Sequence, residues 1–206
     1  MPENGQGYSR PVPLDGRRLT KRQAERRRRV VLAAVELGSD GGYDGVQMRD
    51  VAARADVALG TVYHYFSSKD HLLAAALLDS VRELEIGVAD SPAEGSTNLE
   101  RVLDLLRRTT GAMAANEAIS AALIGGLVSE GEDVAECQRL LHEVFSRMLA
   151  TAFDDSVAID DQKRIIRSLE HVWFSGLIGW KNGWMPIDQS IAELEDTARL
   201  LLDDRR

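Results

Sequence analysis

The sequence predicts an all-α protein, with a three-helix N-terminal head followed by a larger helical body. Three observations lead there. Only 5 of 206 residues are proline, and the long stretches rich in Ala, Leu, Glu and Arg are good helix formers. No alternation of apolar and polar residues bounded by turns persists for more than a few positions, as a strand would require. Residues 46–66, VQMRDVAARADVALGTVYHYF, read as two short helices joined by a tight turn.

Bulk properties narrow the class. An apolar content of 44% and a charged content of 28% suit a soluble globular chain with a sizeable core. No apolar run is long enough for a membrane span. The N-terminus lacks the apolar segment of a secretory signal, so a cytoplasmic protein without membrane contact is expected. The lone Cys137 has no partner for an internal disulfide. Charge is unevenly placed. Residues 1–70 carry 12 Lys and Arg against 9 Asp and Glu, while the remaining residues carry 13 against 24, so a net +3 head precedes a net −11 body. A basic reading head on an acidic body would have this asymmetry.

Taken in order, residues 1–18 combine Pro2, Gly5, Gly7, Pro11, Pro13 and Gly16 with few apolar residues, and read as a flexible basic arm. Arg17 and Arg18 are placed to reach a DNA groove, as basic arms do; a tail without a role fits the same residues. Residues 19–67 form the head. Its first helix is expected over Leu19 to Leu37, with Thr20 as N-cap, Val30, Val31, Ala34, Val35 and Leu37 facing inward, and Gly38, Gly41 and Gly42 as stops. The run Arg26 to Arg29 wraps the helix, so only some of these side chains can face a nucleic acid.

The two-helix unit comes next. Met48, Val51 and Ala52 sit at helical spacing in its first helix, and Val62 and Phe66 lie four apart in the second, from about Ala58 to Tyr65. The outward face shows Leu59, Gly60, Tyr63 and His64, with Thr61 at the helix entrance. It carries a glycine, two aromatic rings and no carboxylate, which is odd for a solvated surface and sensible against a phosphate backbone and base edges. Gly60 would allow close approach of the backbone, and Thr61 offers a hydroxyl. Leu59 suits a thymine methyl, and Tyr63 and His64 suit phosphate or base. In the preceding helix Gln47 and Arg49 add contacts, Arg49 being the better guanine reader.

The body spans residues 68–206. Ser68 is a good N-cap for a helix over Lys69 to about Ala89, whose exposed N–H groups with Lys69 would make a phosphate-binding corner. Further helices are expected near Leu99 to Met113, Glu117 to Glu130, Val134 to Phe153, Asp161 to Asn182 and Ile187 to Leu202, broken at Asn116, Gly131, Asp154-Asp155, Gly183 and Pro186. The pair Gly125-Gly126 inside one of these helices costs roughly 1 kcal/mol per residue, and so implies a ligand, a close backbone or a kink. Around Trp173 the helix is apolar on several sides with Ser175, Gly176 and Gly179 interspersed. That composition suits close packing on the last helix through Leu194 and Ala198, in a self-complementary interface; an intrachain core helix is the alternative.

The stretch Thr61-Val62-Tyr63-His64-Tyr65-Phe66, followed by Ser68-Lys69-Asp70 and Leu72-Leu73, resembles the signature of TetR-family transcriptional regulators. The flanks Gly42-Tyr43-Asp44 and Met48-Arg49-Asp50-Val51-Ala52 fit as well, so the likeness covers roughly residues 22–75. Within that family, Gly42-Tyr43-Asp44, Val46-Gln47-Met48-Arg49 and Val57-Ala58-Leu59-Gly60-Thr61-Val62-Tyr63 resemble the KstR group of actinobacterial sterol-catabolism repressors. Two positions depart from the family pattern. The inter-helix turn has Asp56 where many members place Gly, and Ala58 stands where a Ser or Thr usually caps the recognition helix.

The resemblance implies a homodimer that binds a palindromic operator in double-stranded DNA and is released by a small effector. The last two helices would form the dimer bundle. An apolar pocket would lie inside the body, with Met113, Leu123, Leu127, Phe145, Met148, Leu149 and Trp173 as candidate lining, although each also suits plain core. Likeness to the KstR group makes that effector a steroid coenzyme A thioester, with Arg101, Arg107, Arg108 or Arg147 available for its phosphates. A regulator of efflux or of other metabolism, answering to an unrelated apolar ligand, is the alternative. An enzyme is not expected. His64, His71, His142 and His171 fall in no metal-ligand spacing, and there is no glycine-rich phosphate loop, so neither metal nor cofactor is called for. A helical adaptor whose basic head binds an acidic protein is separated from a DNA-binding regulator by DNA affinity that falls steeply with salt together with preference for one palindromic sequence.

Overall fold

The computed structural model describes residues 19–203, and among them are nine helices and no strand. The head comprises α1 (Lys21–Gly45), α2 (Met48–Arg54) and α3 (Leu59–Tyr65). The body comprises α4 (Lys69–Asp90), α5 (Asn98–Ala114), α6 (Glu117–Leu127), α7 (Glu132–Ala150), α8 (Ile159–Lys181) and α9 (Ile187–Leu202). Local chemistry explains the starts. Thr20 opens α1 with a capping box, accepting from the Gln23 backbone N–H while the Gln23 side chain accepts from Thr20 N. Thr97 and Glu100 do the same for α5, and Ser68 and Asn116 cap α4 and α6 through their side chains.

The first helix corrects the expectation of an end at Leu37. It runs on through Gly38, and the break comes at Gly42, whose φ of 60° is non-helical. Gly38 is a packing residue rather than a stop. A Cβ there would lie 2.5 Å from the Ile119 side chain, so its absence lets α1 seat directly on α6.

The head packs as its apolar spacing requires. Val51, Ala52, Val62 and Phe66 are buried together with Val30, Val31 and Ala34 of α1. The turn between α2 and α3 places Asp56 at φ 52°, the left-handed region, which Asp tolerates better than most residues. Ala58 supplies no side-chain cap to α3, so the start of that helix rests on packing of Val62 and Phe66 rather than on capping.

Head and body share one continuous core. Helix α4 lies against α6 and α7, and α1 also leans on α6. Gly126 explains the costly glycine pair. A Cβ on it would lie 2.5 Å from Leu73 Cβ and 2.9 Å from the Asp70 carbonyl oxygen, so the α6 backbone runs directly against the first turns of α4. Gly125 faces the Tyr43 ring less tightly, a Cβ there lying 3.3 Å from it.

The C-terminal pair packs closely within the chain. Gly176 meets Ser190 at contact distance, and Gly179 lies under the Trp184 ring. Leu194 and Ala198 are buried within the single chain. Gly176 and Gly179 therefore serve packing within the chain, because small residues on α8 let α9 and the 182–186 connection come close. Of the five residues put forward for a dimer face, only Ser175 is exposed.

Candidate functional site

Two regions carry the chemistry, an exposed face on the head and a cavity in the body. On the head, Gly60, Tyr63 and His64 of α3 are exposed, Leu59 and Thr61 are half-buried, and Gln47 and Arg49 at the start of α2 are exposed beside them. Tyr63 shows half of its surface. The inward residues Val62 and Phe66 fix the rotation of α3, which is why the unusual face points outward. Arg49 makes no ion pair among the described residues, and Gln47 donates to the Asp44 carbonyl at 3.0 Å. His64 packs edge-on against Tyr65, with ring centres 5.2 Å apart. Arg17 and Arg18 lie outside the described residues.

Lys69 takes a more structural place than the sequence suggests. Its ammonium sits 3.7 Å from the centre of the Tyr43 ring and donates to the Tyr43 carbonyl at 3.1 Å. Tyr43 in turn donates its hydroxyl to Asp70, and burial together with that bond pushes the phenol up to about 12. Arg27, in the arginine run of α1, faces inward. It is paired with Asp79 of α4 at 2.5 Å and lies 5.3 Å over the Phe66 ring, joining head to body. His71 adds a third link, accepting from the Ser67 N–H at 3.2 Å beside Asp133 of α7. Burial lowers its pKa and outweighs the attraction of Asp133.

A cavity of about 230 Å³, open on one side to solvent, lies between α6, α7 and α8, lined by Leu127, Gln138, Leu141, His142, Phe145, Glu170, Trp173 and Phe174. Leu127, Phe145 and Trp173 were singled out from sequence; Met113, Leu123, Met148 and Leu149 are buried in the core outside this lining. Phe145 and Trp173 stack face to face, 4.5 Å between centres and 4° between planes. Glu170 is buried, and Ser146 donates to its Oε1 at 2.8 Å. Desolvation raises its pKa, opposed by the Ser146 bond and the charge of His142. The sequence signal that went unused is a carboxylate on the inward stripe of α8, among Ile166, Leu169 and Trp173.

The four arginines considered for ligand phosphates are all engaged by their own chain. Arg101 pairs with Asp154, Arg107 with Glu195, Arg108 with Asp104 and Arg147 with Glu85. Among the described residues, no group of three or more His, Cys, Asp or Glu could hold a metal ion, and no helix is long and apolar enough to cross a membrane.

Comparison with known proteins adds an independent line. The family model for bacterial regulatory proteins of the tetR family matches residues 30–76, and one for a tetracyclin repressor-like C-terminal domain matches residues 95–201. The HTH-type transcriptional repressor KstR of Rhodococcus jostii (strain RHA1) is 37% identical over 186 residues, spanning 88% of this chain and 85% of that protein. KstR of Mycobacterium tuberculosis (strain ATCC 25618 / H37Rv) is 34% identical over 187 residues, spanning 89% and 83%. A crystal structure of a TetR transcriptional regulator from Rhodococcus sp. RHA1 superimposes with a TM-score of 0.75 at 27% identity, covering 90% of this chain and 100% of that one.

Proposed function

This chain belongs to the TetR family of bacterial transcriptional regulators, and we propose that it is a ligand-responsive repressor of sterol or lipid catabolism genes. The observation that carries this reading is the extent of the likeness to KstR repressors, which runs through the body as well as the head. In this reading two copies bind a palindromic operator, each inserting α3 into the major groove at half-sites one helical turn apart. Tyr63, His64, Thr61 and Leu59 face the DNA, with Gly60 letting the backbone approach, while Gln47, Arg49 and Lys69 flank them and Arg17 and Arg18 extend the basic surface. The dimer forms across the exposed side of α8 and α9, where Ser175 and Leu200 are exposed and Val172 and Ile178 half-buried.

Release follows from the cavity wall. At about 230 Å³ the cavity falls below the roughly 300–1,000 Å³ of small-molecule sites, so a steroid body must push its walls apart. One wall residue, Leu127, follows Gly126 on α6. That helix is tightly packed against α4 at Gly126 and meets α1 at Gly38 through the Ile119 side chain, and displacement of α6 is passed to the helices that set the head. The proposed effector is a steroid coenzyme A thioester, its apolar body beside Phe145 and Trp173.

The test is selection of genomic DNA fragments by the purified protein, with and without steroid coenzyme A thioesters. Recovery of a palindrome near sterol or lipid catabolism genes, released by the thioester, is the expected result. Release by cationic drugs and not by lipid thioesters overturns the effector class in favour of an efflux regulator.

A further inference from the structure

Two residues of the cavity wall carry an unusual pair of buried polar atoms. Among the described residues, Glu170 Oε2 and Trp173 Nε1 are the two buried side-chain polar atoms without a hydrogen-bond partner. Both residues are only 7% exposed, and both line the same cavity. They lie three residues apart on α8, on one face of the helix. Buried polar groups in folded proteins are normally paired, so two orphans at one cavity wall need a reason.

Their neighbours hold them in place without satisfying them. Ser146 occupies the other carboxylate oxygen of Glu170, and Phe145 fixes the indole plane by stacking. His142 Nδ1 stands at ion-pair distance, 2.7 Å from Oε2, but makes no hydrogen bond to it. Water does not reach either atom in this conformation. A group entering as the cavity widens meets an acceptor and a donor together.

We propose that Glu170 Oε2 and Trp173 Nε1 form a built site for a hydroxyl group on an otherwise apolar, ring-shaped ligand. The hydroxyl donates its proton to Oε2 and accepts from the indole N–H. A ketone offers the carboxylate nothing, a hydrocarbon leaves both atoms orphaned, and a second carboxylate is repelled. Selectivity comes from the cost of leaving either atom unpaired. This assignment rests on the cavity being the effector pocket, and it adds which functional group the pocket selects.

The experiment measures binding to the full-length protein by isothermal titration, using three fused bicyclic probes: trans-2-decalol, trans-2-decalone and trans-decalin. The alcohol is expected to bind about tenfold or more tightly than the other two, the margin of one charge-assisted hydrogen bond. Glu170→Gln, whose amide can also donate, removes the preference of alcohol over ketone. Trp173→Phe weakens the alcohol toward the hydrocarbon and leaves the hydrocarbon unchanged, with circular dichroism reporting the fold of both variants. Equal affinity of alcohol and hydrocarbon for the unsubstituted protein overturns the hydroxyl site while leaving the pocket standing. Failure of all three to bind, or binding that survives Leu141→Trp, overturns the pocket reading and the inference with it.

Discussion

Replacing Gly126 by Ala tests the coupling between cavity and head. The added Cβ would stand 2.5 Å from Leu73 Cβ and 2.9 Å from the Asp70 carbonyl oxygen. Carbon atoms in good contact are about 3.5–4.0 Å apart, so α6 and α4 must separate by roughly 1 Å at this crossing. Neither obstacle is the far end of a flexible side chain, and the strain cannot be shed locally. Overpacking of this kind costs about 1–3 kcal/mol, while exchange of Gly for Ala in a helix returns about 1 kcal/mol.

Gly111→Ala in α5 is the matched control, because a Cβ there meets nothing within 4 Å. It shares the helix-propensity gain, so the difference between the two variants isolates the packing term, expected at about 1–3 kcal/mol in urea denaturation. If the strain is relieved by moving α4, operator affinity of Gly126→Ala falls as well, about tenfold for each 1.4 kcal/mol transmitted, whereas Gly111→Ala binds as the unsubstituted protein does. A Gly126→Ala protein as stable as the control, and with full operator affinity, would refute the idea that this crossing locks α6 to the head.

Four further outcomes are expected. Tyr63→Ala abolishes operator binding in a gel-shift assay with the far-UV circular dichroism unchanged, since Tyr63 is exposed and outside the core; retained binding would remove α3 as the reading helix. Asp79→Ala removes the ion-pair partner of the buried Arg27 and also the Arg82 contact, and lowers stability by about 3 kcal/mol in denaturant titration; a loss under about 1 kcal/mol would show that the pair is dispensable. Because burial depresses the His71 pKa, the folded state binds this proton less readily than the unfolded chain, so its contribution is intact above about pH 6.5 and declines as the pH falls below that value. His71→Asn keeps an acceptor for Ser67 and flattens that part of the pH–stability curve; an unaltered curve would remove His71 from the account. Burial pushes the Cys137 thiol up to about 12, so a thiol reagent modifies it at the rate of unfolding and not before, as absorbance kinetics with and without urea will show.

Much of the head was legible in the sequence because short-range rules govern it. Val62 and Phe66 four apart fix which side of α3 turns inward, and the outward face follows by exclusion. Thr20 with Gln23 and Ser68 with its own turn are capping patterns written in adjacent residues, and Asp56 at a left-handed turn is a property of one side chain. Gly38 misled for the same reason. Locally a glycine reads as a stop, and only the distant Ile119 shows that it is a packing notch.

The body was less legible because its decisive pairings are long-range. Gly176 and Gly179 are small for the benefit of Ser190 and Trp184 of the same chain, and composition alone cannot distinguish that from contact with a second copy. Met148 and Leu149 look like cavity residues by type, yet their phase on α7 turns them into the core, while Leu141, His142 and Phe145 take the lining. The most informative residue was also the least conspicuous. One carboxylate, Glu170, interrupts the inward stripe of α8, and burying an acid beside an aromatic stack opposes folding unless something is gained. If the pocket is the effector site proposed above, such a gain is available, for the unpaired carboxylate oxygen and indole N–H would favour the ligand that completes them.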